Sequence, residues 1–178
     1  MLMGIQYYLD LRDEYRPETL RAIFILESPP DSGKYFYEPH KLYKGVLFSA
    51  MMQYVLKSKP SSKEAGLIEF QQKGYILVDA IYEPVNNLLP SEKARKILGN
   101  YKFLCDDLKN VMRDQESRKP AIILVKTNIC ELLEQRLLTD GFNVINDGLI
   151  VPFPAYGHQK RFGEMMKVIL AKIDTQSI

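Results

Sequence analysis

Three runs of the sequence are apolar almost without interruption: AIFIL at 22–26, GYILVDA at 74–80 and AIILV at 121–125. Runs of this length predict strands buried on both faces, as in a parallel sheet. A fourth strand is predicted to open at 149–151 and to lead straight into a proline-rich stretch. Between the runs the apolar spacing turns helical. Val46, Phe48, Met51, Met52 and Val55 mark a helix over 45–57, and a shorter one follows over 65–73. Pro90-Ser91-Glu92 starts a helical region that extends to Arg113, with an interruption at Gly99-Asn100. Helices over 128–139, closed by Gly141, and over 163–173 complete the pattern. Residues 1–21 repeat Leu9, Leu11, Tyr15 and Leu20 more weakly and predict a leading arm. Residues 114–119 read as a polar loop and 174–178 as a frayed tail. Strand alternating with helix predicts one α/β domain over 1–178, its parallel sheet covered on both faces.

Composition leaves this picture standing. The chain has 178 residues, 46% hydrophobic and 26% charged, enough for a packed core and unlike a disordered segment. A net charge of +2 permits a local basic face without announcing a nucleic-acid partner. Cys105 and Cys130 are too few for a disulfide framework or a cysteine-only metal site, and predict buried, reduced thiols. Charges from Arg12 onward argue against a signal sequence, and no apolar stretch is long enough to span a bilayer. The expectation is a monomeric cytoplasmic protein.

Candidate chemistry gathers where the strands end, the usual place for a ligand in an open parallel sheet. The first run breaks at Glu27-Ser28-Pro29-Pro30 and is followed by Tyr35-Phe36-Tyr37. The second closes on Asp79. The fourth leads into Pro152-Phe153-Pro154-Ala155-Tyr156 and then His158-Gln159-Lys160-Arg161. On one sheet edge these would pool carboxylates, a hydroxyl, an imidazole, rings and cations, a set suited to a planar polar ligand. Ordinary roles exist for each. Glu27 can cap a turn or pair with a lysine, and the rings can be core. Asp79 can accept from loop amides, and His158 can lie in a solvated loop. Lys160 and Arg161 can open a solvated helix, although helix N-termini disfavour cations, which points mildly to a phosphate partner.

Together the two loops resemble the motifs of the uracil-DNA glycosylase superfamily, over residues 22–170 in element order. Leu26-Glu27-Ser28-Pro29-Pro30 stands where the family's first motif follows its first strand, and is most similar to the GEAPG form through Glu27 and Pro29. Val151-Pro152-Phe153-Pro154-Ala155-Tyr156 tracks the P-x-P core of the second motif. The resemblance implies a three-layer α/β/α sandwich with a four-stranded parallel sheet. It implies a DNA-base glycosylase, which flips a base from the helix and hydrolyses its N-glycosidic bond. Glu27 would then orient water or stabilise the cationic sugar, beside Ser28. Tyr35 or Phe36 would stack on the base, with Asp79 at the base-reading position. Pro29, Pro152, Pro154, Tyr156, Gln159, Lys160 and Arg161 would follow the DNA.

The departures from that family are specific. Val151 replaces the leading His of the second motif, leaving His158 as the candidate imidazole. Ser28 replaces the water-activating residue of the commonest forms. The cysteines of the GEAPG subfamily's iron–sulfur cluster are missing, and no cofactor is expected. Asp79 replaces an Asn, and an ionised carboxylate only accepts hydrogen bonds, which suits an exocyclic amine better than uracil. Two further readings follow. One is a nucleic-acid or nucleobase-binding module of the same fold, favoured by the missing His and by Ser28. The other is a hydrolase holding a divalent ion between Glu27 and Asp79.

Overall fold

The computed structural model describes residues 4–40, 45–113, 115 and 119–175. The polar loop expected at 114–119 and the tail expected at 174–178 fall mostly outside them. Helix α1 (Ile5–Asp13) leads into strand β1 (Ala22–Leu26). Helix α2 (Val46–Ala50) continues as a π-helical segment, Met51–Leu56. Helix α3 (Lys63–Gln72) and strand β2 (Tyr75–Asp79) follow. Helices α4 (Pro90–Gly99) and α5 (Tyr101–Val111) precede strand β3 (Ala121–Leu124). Helices α6 (Thr127–Thr139) and α7 (Gln159–Thr175) complete the order. The protein is mixed α/β with a small parallel sheet, and among the described residues no helix is long and apolar enough to cross a membrane.

β1 is the central strand of the order β2-β1-β3, parallel to both neighbours. Every residue of the three strands is buried, which accounts for their unbroken apolar character. Leu26 pairs with Asp79, and Ile25 with Leu124. Glu27, Asp79 and Lys126 therefore emerge together at the carboxyl edge.

The sheet has three strands, not the expected four, and the reason is a pair of side chains on its outer edges. On β3, the buried Asn146 accepts from Leu124 N–H at 2.8 Å and donates to Leu124 C=O at 3.0 Å. Its amide thus makes the two ladder bonds that a fourth strand would make. The chain around it pairs with β3 at a single bridge, Ile122 with Val144, and beyond the strand Lys126 N–H donates to Val151 C=O at 2.9 Å. Asp147 and Gly148, both at positive φ, turn the chain before residues 149–151 can extend alongside. On β2, the Tyr37 hydroxyl does the corresponding work, accepting from Leu77 N–H at 2.6 Å.

The helices are positioned by close packing and by one buried ion pair. Gly66 and Gly163 let α3 and α7 approach the α2 helix. A Cβ at Gly66 would lie 2.5 Å from the Phe48 ring, and one at Gly163 would lie 2.3 Å from the Tyr54 ring. Asn100 separates α4 from α5 and donates to Ala80 C=O at 2.8 Å, tying their junction to the end of β2. Arg12 of α1 is buried and binds both oxygens of Asp107 on α5, at 2.6 and 3.0 Å, with the Tyr82 hydroxyl at 2.8 Å. That geometry is bidentate and fully compensated, the condition under which a buried charge is tolerated.

Asn146→Ala would leave Leu124 N–H unpaired inside the protein and its C=O with only the weak Cys130 thiol contact at 3.5 Å. Each such group costs about 1–3 kcal/mol, so urea unfolding should show a loss of about 2–4 kcal/mol. Asn143→Ala should be close to neutral, because residue 143 serves β3 through its backbone carbonyl.

Candidate functional site

The loop after β1 and the loop after β2 are clasped to one another. Asn87 donates to Asp31 at 2.7 Å, and Ser28 Oγ receives a long contact from Val85 N–H, 3.4 Å. Behind the clasp, at the carboxyl edge of β1 and β2, lies a cavity of about 430 Å³, a size usual for small-molecule sites. Its wall includes Glu27, Ser28, Pro29, Tyr35, Phe36 and Asp79, together with Lys34, Leu47, Phe48, Asn86, Lys126 and Phe153.

Glu27 is 4% exposed. Lys126 Nζ lies 2.5 Å from its Oε1, and Lys93 Nζ lies 3.4 Å from the same oxygen. Asn128 Nδ2 donates to Oε2 at 2.5 Å. Burial opposes the charge, but the hydrogen bonds from Lys126 and Asn128 and the two ammonium charges win, holding the carboxyl below its ordinary range. Lys126 is carried on a φ of 88°, a left-handed conformation uncommon for a side-chain-bearing residue, at the cap of α6.

Asp79 behaves in the opposite way. It is also 4% exposed, and burial pushes its carboxyl up to about 7 against the opposing pull of Arg12 and Tyr35. Neither its Oδ2 nor the Tyr35 hydroxyl makes a hydrogen bond of ordinary geometry, although the two lie close enough for the hydroxyl to favour the ionised carboxylate as a donor would. Tyr35 is 2% exposed, packed edge-on against Tyr8 at 4.9 Å, with Lys63 donating to its carbonyl at 2.7 Å. Phe36 packs among Tyr37, Phe48 and Phe70. Both rings belong to the core and present part of their surface to the cavity.

The second proline-rich loop divides. Pro152 and Pro154 are buried, and Phe153 reaches the cavity wall. Tyr156 is 97% exposed at the tip, and His158, Lys160 and Arg161 are exposed and do not line the cavity. Gln159 lines an adjoining groove that shares Gly45 and Val46 with the cavity. His158 is thus separate from Glu27 and Asp79.

Sequence reasoning missed Lys126, Asn128 and Lys93. The signal for the first two was the Lys126-Thr127-Asn128 step directly after the third apolar run, on the same sheet edge as the other loops. Lys93 carried no such signal. These donors contact both oxygens of Glu27 and compete with any cation for them. Among the described residues no group of three or more His, Cys, Asp and Glu side chains is arranged to hold a metal. Comparison with protein families, curated proteins and solved structures finds no match for this chain.

The raised Asp79 carboxyl has a signed consequence. Between its ordinary value of 3.8 and about 7 the folded state keeps a proton that the unfolded chain has released, so this group's contribution to stability falls as pH rises through that window. Glu27 works oppositely, losing stability as pH falls through its lowered value, but it is common to parent and variant. Asp79→Asn should therefore be more stable than the parent at pH 8, by on the order of 4 kcal/mol, with the gap closing toward pH 4. Urea titrations of both proteins across that range measure it.

Proposed function

We propose that the cavity receives a nucleobase extruded from DNA and that the protein hydrolyses its N-glycosidic bond, as a divergent relative of the uracil-DNA glycosylases. The observation that carries this reading is a pair of buried polar groups lining the cavity, Asp79 with its Oδ2 and Tyr35 with its hydroxyl, which make no hydrogen bond of ordinary geometry within the protein. Buried polar groups are seldom left unpaired unless a ligand or water completes them. A nucleobase offers polar atoms along one edge and apolar faces for Phe36, Phe48 and Phe153.

A carboxyl raised to about 7 is divided between its two protonation states near neutral pH. The neutral acid donates and accepts side by side, as an amide does. Asp79 then reads a keto–imide edge as well as an amine, and uracil returns to the set of candidate bases. Lys126 supplies the positive charge that the absent motif imidazole would direct at the departing base. Exposed Lys160, Arg161 and Tyr156 lie outside the cavity, and exposed Lys34 at its wall, for phosphate and strand contacts. The same reading takes the helices as two layers enclosing the sheet, in a cytoplasmic protein acting as a monomer.

One observation favours a second reading, binding without hydrolysis. Both Glu27 oxygens are engaged by Lys126, Lys93 and Asn128, which hold the carboxylate ionised and make it a weaker base toward water.

Oligonucleotides carrying uracil, hypoxanthine or xanthine, incubated with the protein in EDTA and then with alkali, separate the two. The glycosylase reading expects alkali-dependent cleavage that falls about 100-fold in Asp79→Ala. Binding that weakens steeply with salt, without cleavage, would favour the binding module. Neither binding nor cleavage would contradict both.

A further inference from the structure

Lys126 and Lys93 share one carboxylate oxygen, Glu27 Oε1, at 2.5 and 3.4 Å. Only Lys126 lines the cavity, with a side chain 30% exposed against 16% for Lys93. Asn128 fixes the other oxygen at 2.5 Å, so the carboxylate that faces Lys126 cannot rotate away. The backbone of Lys126, at φ 88° and ψ 133°, is of the kind found where the surroundings hold a residue in place for function. An amine at a cavity wall, a proton acceptor in contact with it, a group orienting that acceptor and a second cation beside it form the arrangement that activates lysine nucleophiles.

We propose that Lys126 is an amine nucleophile that captures an aldehyde in the cavity as an imine, its substrate class being the open-chain aldehyde of an abasic sugar in DNA. This rests on the reading that the cavity admits a nucleotide. Lys126 Nζ passes one proton to Glu27 Oε1, and its lone pair forms the bond to the aldehyde carbon while the carbonyl pair moves onto oxygen. That oxygen leaves as water, carrying one proton from the nitrogen and the one held by Glu27. The nitrogen keeps one hydrogen and the positive charge, and nothing is oxidised or reduced. Once Glu27 has given that proton to the departing water it is a carboxylate again, with Lys93 and the iminium as its counter-charges.

The test incubates the full chain with a single-stranded oligonucleotide bearing a preformed aldehydic abasic site, in the presence of cyanoborohydride, which reduces an imine to a stable amine. The expected result is a covalent complex on a denaturing gel, mapped by proteolysis of the parent protein to Lys126. It should be absent with a tetrahydrofuran abasic analogue, which has no aldehyde. Lys126→Arg keeps the charge opposite Glu27 and should form no adduct at concentrations where the variant is saturated with the oligonucleotide. An adduct at Lys34 or Lys93, or none while the analogue is bound, would overturn the proposal. Excision of an intact base without adduct formation would overturn it and leave the glycosylase reading in place. Failure to bind either oligonucleotide would overturn both.

Discussion

A single buried carboxylate organises the edge of this protein on which its chemistry lies. Glu27 follows the last residue of the central strand, where a charge is stable only if opposite charges and donors reach it. They arrive from separate elements: Lys126 from the β3–α6 junction, Asn128 from the first turn of α6 and Lys93 from α4. Meeting that one charge therefore draws two helices and the loop after β1 to the same edge. The cavity floor is a consequence of this convergence. Removing the carboxylate would leave two ammonium groups facing each other, and removing Lys126 would leave the carboxylate short of its nearest partner.

One register step away, Asp79 shows what the same burial does without such partners. Leu26 and Asp79 are paired across β1 and β2, so the two carboxylates belong to adjacent strand ends. Lysines keep the first ionised, while desolvation raises the second to about 7. Neighbouring titratable groups pushed apart in this way are a recurrent property of reactive and ligand-reading sites. The aromatic cluster around Tyr35 supplies the low-dielectric wall, and the Arg12–Asp107 pair holds α1 and α5 behind it. Arg12 favours the ionised form of Asp79, yet desolvation still prevails.

The central part of this arrangement was legible in the sequence because it is local. The runs at 22–26, 74–80 and 121–125 could be read as buried strands, and residues closing or following such strands must share one edge in a parallel sheet. Glu27, Asp79 and the Tyr35–Phe36 rings could be singled out for that reason. What escaped depends on contacts distant in sequence. Tyr37 and Asn146 end the sheet by imitating strands with single side chains, and nothing in LIV at 149–151 distinguishes a true edge strand from one displaced by an asparagine. The Lys126 and Lys93 partners of Glu27 come from other elements. The π-helical stretch after α2 keeps the same apolar spacing as an ordinary helix, and His158 looked close to the site only because its loop does reach it, through Phe153.

The most direct test of the central claim, that Asp79 and Tyr35 are completed by a base, is a crystal structure with a non-hydrolysable oligonucleotide. A 2′-fluoro-substituted deoxyuridine in a short strand would serve. The account predicts the base seated in the cavity with polar edge atoms within hydrogen-bond distance of Asp79 Oδ2 and the Tyr35 hydroxyl. An oligonucleotide bound elsewhere, every base stacked in the strand and none in the cavity, would contradict it.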